Sequence, residues 1–206
     1  QPYPVSSSEV PYKNINLICD PWIEGTAFND GWELLAETKF SYEDFSKVTH
    51  IWFSHEHPDH FSPPNLKKIK KRYRSQITVL YQKTKDKKVI NFCKKLGFNV
   101  IEIPNSRSIN ILDDLILTCK KFGSEDSWLK IETPQFSILN LNDCPVRDKK
   151  DLLKLKENVK DIDLLLTQFS YANWCGNIED KNQRLDEARW YIEKMIDQIN
   201  YLNPVS

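Results

Sequence analysis

Residues 51–60 constrain this chain more than any other stretch. The run Ile51-Trp52-Phe53 is short and apolar, the pattern of a buried strand. It leads at once into Ser54-His55-Glu56-His57-Pro58-Asp59-His60. Four side chains able to bind a metal, His55, His57, Asp59 and His60, fall within six positions. A loop at the end of a strand can hold ligands rigidly while one side stays open to solvent. Imidazole and carboxylate together suit zinc, iron or manganese. A polar surface loop that happens to be rich in histidine is the competing reading. It fits less well, because three of the chain's four histidines sit here.

Length and composition set the bounds. The 206 residues suffice for one domain, 1–206, with a real core. Lysine plus arginine (29) equals aspartate plus glutamate (29), so net charge argues for neither nucleic acid nor an anionic membrane surface as partner. No apolar run is long enough to span a bilayer. The start of the chain lacks the pattern of a secretory signal. The five cysteines, Cys19, Cys93, Cys119, Cys144 and Cys175, are odd in number and form no Cys-x-x-Cys pair. There is no Cys-x-His pair either, so this chain alone cannot build a Rieske cluster. Buried thiols in a reducing compartment, with a cytoplasmic location, are expected.

Taken in order, residues 15–20 alternate like a half-buried strand ending on Asp20. Asp20-Pro21-Trp22 then opens a loop. Ser41 is placed to cap a short helix through Val48. After the ligand loop, Ser62 and Pro63 start a helix with Leu66, Ile69 and Tyr73 on one face. Its lysines read as a solvated face rather than a phosphate contact. Strands at 76–81 and 98–103 flank a helix at 85–96 that Gly97 stops. Four strands follow, turning near Asp113-Asp114 and Pro134. The last of them, ending Asn140-Leu141-Asn142-Asp143, repeats the pattern of strand followed by acid. A helix at 149–158, a buried strand at 162–169 and a long helix at 183–202 complete the pattern. On the long helix Leu185, Ala188, Ile192, Met195, Ile196, Ile199 and Leu202 recur at helical spacing, which reads as a core face.

The His-x-His-x-Asp-His pattern resembles the signature of the metallo-β-lactamase fold. The resemblance implies an α/β chain of αββα sandwich type. It implies that His55 and His57 hold one metal, that Asp59 and His60 hold a second, and that Asp143 bridges them. Asp20, with Ser54 beside it, would lie behind the ligands and orient them. Asp59 would steer the proton of a metal-bound water and so be catalytic. Trp22, Trp174 and Asn177 lie in the loops that would choose a small-molecule substrate. A narrower resemblance, carried by Ser-His-Glu-His-Pro-Asp-His and Asn-Leu-Asn-Asp-Cys, is to the domain related to CMP-N-acetylneuraminate hydroxylase.

The pattern also departs from the family. Two further histidines usually complete a two-metal site there. The one left, His50, lies inside the strand before the motif. Glu125 and Asp126 precede Asp143 instead, and a carboxylate ligand such as Asp126 shifts the site towards iron or manganese. The missing ligands imply a fragment of a longer protein, incomplete at its termini, or a degenerate member. Three readings follow. The first is a hydrolase using water activated by one or two divalent metals, zinc by preference. The second is an iron-dependent oxygenase served by an electron-donor partner. The third is a non-catalytic binding domain. All but the last predict a transition metal on the 55–60 loop. Elemental analysis should find less metal in the His55→Ala/His57→Ala double variant than in wild type; equal content would remove the assignment.

Overall fold

The computed structural model of the chain describes residues 8–169 and 175–205. Its class is α/β, as expected, with two five-stranded sheets accompanied by helices. The chain divides into two compact units, Gln1–Ser108 with Cys119–Ser127, and Ile109–Thr118 with Trp128–Ser206.

The first unit contains β1 (Ser8–Tyr12), β2 (Ile15–Cys19), the two-residue strands β3 (Thr26–Ala27) and β4 (Trp32–Glu33), and β5 (His50–Phe53). Then come α1 (Pro63–Lys68), α2 (Lys71–Arg74), β6 (Thr78–Gln82), α3 (Lys88–Leu96) and β7 (Asn99–Ile103). Its sheet runs β1-β2-β5-β6-β7, antiparallel at β1/β2 and parallel thereafter. A central parallel strand is covered on both faces, and so reads as continuous apolar sequence. Accordingly Ile51, Trp52 and Phe53 are all buried. Ile51 and Phe53 point into one cluster with Phe45, Leu66, Ile69, Val79, Ile90 and Cys93, while Trp52, between them, faces the other side. Phe53 packs edge-on against Phe61, with ring centroids 5.1 Å apart. Gly97 ends α3 in the left-handed conformation, at φ 92°.

Two helices differ from expectation. The helix from Ser62 breaks at Ile69, whose extended backbone (ψ 129°) separates α1 from α2, so Tyr73 belongs to a second helix. Near residue 44 a single 3-10 turn, Asp44–Ser46, replaces the helix through Val48. Ser41 does not cap it; its N–H and hydroxyl both donate to the Asp44 carboxylate. The lysines of α1 and α2 are exposed, and Lys68 and Lys70 pair with Glu24 and Glu43.

The other sheet, β12-β11-β10-β9-β8, supplies most of the second unit. Its strands are β8 (Arg107–Leu112), β9 (Leu115–Lys121), β10 (Ser127–Glu132), β11 (Ser137–Asn142) and β12 (Leu164–Thr167), with helices α4 (Lys149–Val159) and α5 (Lys181–Leu202). β10 and β11 are antiparallel, β11 and β12 parallel. β12 is not the buried strand expected: Leu164 is exposed and its neighbours are half-buried.

The larger correction is α5. Most of its apolar stripe is not core; of the stripe only Leu202 is buried. Leu185, Ile192, Ile196 and Ile199 are exposed, and the buried positions are Lys194, Gln198 and Leu202. Periodicity shows which residues share a face, not which face turns inward. Here inward positions are taken by polar side chains with specific partners: Gln198 donates to the Val146 carbonyl at 2.7 Å and accepts from Thr167 Oγ1 at 2.6 Å.

All five cysteines are free and buried. Among the described residues no helix is long and apolar enough to cross a membrane. Truncating Phe53 to Ala should cost about 3–5 kcal/mol of stability, because the ring is fully buried in a close-packed cluster. Denaturant titration measures this; a loss below about 1 kcal/mol would mean that the cluster is loosely packed.

Candidate metal centre

The centre begins with a strand pairing. β2 and β5 run parallel with Cys19 opposite Trp52, so the residues following each strand emerge side by side. Asp20 N–H donates to the Trp52 carbonyl at 2.9 Å. Asp20 itself is left-handed, at φ 44°, a conformation aspartate tolerates better than most residues. That turn keeps its carboxylate fully buried beneath the histidine loop.

The carboxylate collects three donors. Ser54 N–H reaches Oδ1 at 2.8 Å, Ser54 Oγ lies 2.8 Å from Oδ2, and His60 Nδ1 lies 3.2 Å from Oδ2. A buried carboxylate accepts only, so these contacts assign the protons. Ser54 O–H points to Asp20, leaving Ser54 Oγ to accept from His55 Nδ1 at 2.9 Å. His60 carries its proton on Nδ1. In both histidines Nε2 is therefore the unprotonated nitrogen, with its electron pair turned away from the supporting carboxylate. This is the orientation a metal ligand needs.

Each of those pairs faces another donor atom. His55 Nε2 lies 2.8 Å from His57 Nδ1, and His60 Nε2 lies 3.2 Å from Asp59 Oδ2. His57 Nε2 lies 3.2 Å from Glu125 Oε2, which calls for its proton on Nε2 and leaves Nδ1 bare. Electron pairs that face one another repel unless a proton or a cation lies between them. Asp59 Oδ1 is buried and has no hydrogen-bond partner among the described residues. The donor set therefore fits a metal ion. Asp126 Oδ1 lies 3.9 Å from His55 Nδ1, on the side away from the bare nitrogen. Half-buried Asp143 follows β11 after Asn142, which is left-handed at φ 53°.

The remaining sequence candidates fall differently. His50 bonds Thr49 Oγ1 at 2.9 Å at the start of β5, and burial lowers its pKa. Trp22 is buried, with its indole N–H donated to the Glu24 carbonyl of its own loop. Asn177 is exposed and its N–H donates to Asp180 Oδ2 at 2.8 Å. Trp174 lies outside the described residues. Phe28 packs edge-on to His57 (5.9 Å) and tilts against Trp32 (4.6 Å), forming an aromatic wall beside that histidine.

Sequence reasoning missed three supports. The Ser54 carbonyl accepts from Gln82 Nε2 at 3.2 Å and from Ser127 Oγ at 2.6 Å. Asn65 Oδ1 accepts from Ile23 N–H at 2.7 Å and Glu24 N–H at 3.1 Å, which fixes the loop after Asp20. Only the polar character of Gln82 and Asn65 beside apolar residues hinted at them. A fourth omission, Lys194, is fully buried; burial lowers its pKa to about 8, against the opposing charge of Asp143.

No protein-family model matches the chain. It is 35% identical over 138 residues to the cytidine monophosphate-N-acetylneuraminic acid hydroxylase of Xenopus laevis, covering 64% of this chain and 23% of that protein. It is 26% identical over 184 residues to a protein of Mycolicibacterium smegmatis named for a Rieske 2Fe-2S iron-sulfur protein, covering 84% of this chain and 34% of the relative. The chain thus spans about a quarter to a third of these relatives' length. Among solved structures it is similar to CmlA, a diiron β-hydroxylase from Streptomyces venezuelae (TM-score 0.66, 15% identity, 97% of this chain and 42% of that one). It is also similar to YhfI from Bacillus subtilis, a metallo-β-lactamase fold protein (TM-score 0.52, 15% identity, 82% of this chain and 64% of that one). The fold is that of the metallo-β-lactamase proteins, and the histidine and aspartate donors of the 55–60 loop support a metal-binding enzyme of this general fold.

Exchanging Asp20 for Asn puts an amide N–H where donors now point. The variant Asp20→Asn should keep native circular dichroism but bind zinc about 10–100-fold more weakly, the usual effect of disturbing the groups that orient metal ligands. Competition with a chromophoric chelator measures it; unchanged affinity would show that Asp20 serves folding alone.

Proposed function

We propose that this chain is the metal-binding domain of an iron-dependent oxygenase, one that hydroxylates a small molecule. The observation that carries the proposal is the donor set. The bare nitrogens of His55, His57 and His60 stand beside the Asp59 carboxylate, while Glu125 and Asp126 lie against the protonated sides of His57 and His55 and add negative charge to the surround. Oxygen donors mixed with imidazole suit iron or manganese better than the nitrogen- and sulfur-rich sets typical of zinc. The sequence relatives point the same way, since the hydroxylase similarity covers 64% of this chain.

Iron bound there supplies the oxygen and electron chemistry that side chains lack. Replacing C–H by C–OH consumes one O₂, two electrons and two protons, and releases one water. The electrons come from a reductant, here a partner protein or domain of iron–sulfur class. The 26% similarity to the protein named for a Rieske centre supports that class of donor. This chain's own residues hold and orient. Asp20 and Ser54 keep His55 and His60 in the Nδ1-protonated form. Asp59, with one carboxylate oxygen that finds no hydrogen bond among the described residues, ligates or holds a proton at the centre. Phe28 and Trp32 form the apolar wall that meets substrate near His57.

The chain loaded with iron(II), with ascorbate as electron source, should consume oxygen faster than the His55→Ala/His60→Ala variant. Adding CMP-N-acetylneuraminic acid tests the substrate class, through gain of one oxygen atom by mass spectrometry. Hydrolysis of esters or phosphodiesters by the zinc-loaded chain, with no oxygen uptake by the iron-loaded one, would overturn the oxygenase reading in favour of a hydrolase.

A further inference from the structure

Phe28 is the least expected residue of the first unit. It stands in the turn 28–31 that joins β3 to β4, where Ala27 pairs with Trp32. Gly31 N–H donates to the Phe28 carbonyl at 3.1 Å, and Thr26 Oγ1 donates to Asp30 Oδ1. Phe28, Asn29 and Asp30 are all left-handed, at φ 53°, 54° and 64°. Asparagine and aspartate tolerate that conformation, because their short polar side chains bond locally; a bulky apolar residue does not. Of the ten left-handed residues other than glycine among those described, Phe28 alone is apolar. Burial does not offset this strain, since the residue is 40% exposed. A strained and exposed aromatic ring works against the fold, and such strain gathers where side chains meet ligands.

The ring has two aromatic neighbours. His57 lies 5.9 Å away and Trp32 4.6 Å between centroids, inclined at 68° and 58°. Neither is parallel to it, so among the described residues no ring stacks on the face of Phe28. No cation lies over Phe28 or Trp32 either; the cation–π contacts of the described residues fall on Tyr12, Tyr73, Trp190 and Tyr191. The charged residues of the hairpin are acids, Asp30 and Glu33, and Glu125 lies against His57 Nε2. An anionic group is therefore disfavoured at this wall, whereas a flat neutral ring can take the offset-stacked arrangement that aromatic faces prefer.

We propose that Phe28 is a specificity-determining residue: its turn holds the ring beside His57 so that a flat, uncharged conjugated ring of the substrate, of the nucleobase class, stacks on it. The inference rests on the reading of the 55–60 loop as the centre where a small molecule reacts. Hairpin and loop belong to the same compact unit.

Cytidine is a suitable probe, because stacking on an aromatic side chain tolerates any base. Saturation-transfer NMR on the zinc-loaded full chain compares it with methyl β-D-ribofuranoside, the same sugar without the base. Wild type should bind cytidine, with the strongest transfer to the base protons, and should bind the riboside far more weakly. Phe28→Tyr keeps the ring and should keep the affinity. Phe28→Asn removes the ring from a position that asparagine tolerates; it should lose at least about fivefold in cytidine affinity, the lower end of one base stack, yet melt no lower than wild type. Absence of cytidine binding by wild type would overturn the proposal. So would equal binding of the riboside, unchanged affinity in Phe28→Asn or lost affinity in Phe28→Tyr. A lower melting temperature or loss of fold in Phe28→Asn would show that the ring serves packing, and would overturn it too. None of these readouts needs turnover. Oxygen uptake by the iron-loaded chain therefore judges the oxygenase reading separately from the role of Phe28.

Discussion

The carboxylate of Asp20 is the interaction on which the first unit's site depends. Burying a bare anion costs several kcal/mol, and here the cost is offset by the Ser54 N–H, the Ser54 hydroxyl and His60 Nδ1. None of these contacts is available in a chain where β2 and β5 are not paired. The strand pairing creates the pocket, the left-handed turn at Asp20 drops the acid into it, and the acid then dictates the tautomers of two histidines. The geometry of these donors is therefore set by the fold alone, which is the condition a precise metal site requires.

The parts of this arrangement that could be read from sequence are local ones. Strand, acid and loop succeed each other within a few residues at Asp20, at His55–His60 and at Asp143. The signals are a change from apolar to polar and a cluster of one residue type. Gly97, with no Cβ to resist φ 92°, marked the end of α3 equally well. What could not be read were pairings across long stretches of chain. Gln82 and Ser127 reach the same Ser54 carbonyl from 28 and 73 residues away. A polar residue at a strand end looks the same whether it meets water or a buried carbonyl. Glu125 beside His57 has the same character: its value depends on where residue 57 is, not on residues 124 or 126.

Helix α5 is the instructive failure. Its apolar residues do share a face, so the period was right and the orientation wrong. Burial of Lys194 and Gln198 is favourable only because particular partners wait for them, the Gln168 side chain and the Val146 carbonyl. Hydrophobicity averages cannot anticipate such partners. The same reason explains β12, where four apolar or β-branched residues in a row, Leu164 to Thr167, stay half-exposed.

Charge balance joins these strands of argument. Asp59, Glu125 and Asp126 lie beside His60, His57 and His55, and like charges brought together must be answered by cations. A proton on each histidine would answer part of this charge, but only by using up the bare nitrogens that the hydrogen bonds of Asp20, Ser54 and Glu125 leave facing one another. A metal ion would answer the charge and use those nitrogens as they stand. The bonds that fix the tautomers therefore also favour a metal over protons at the same place.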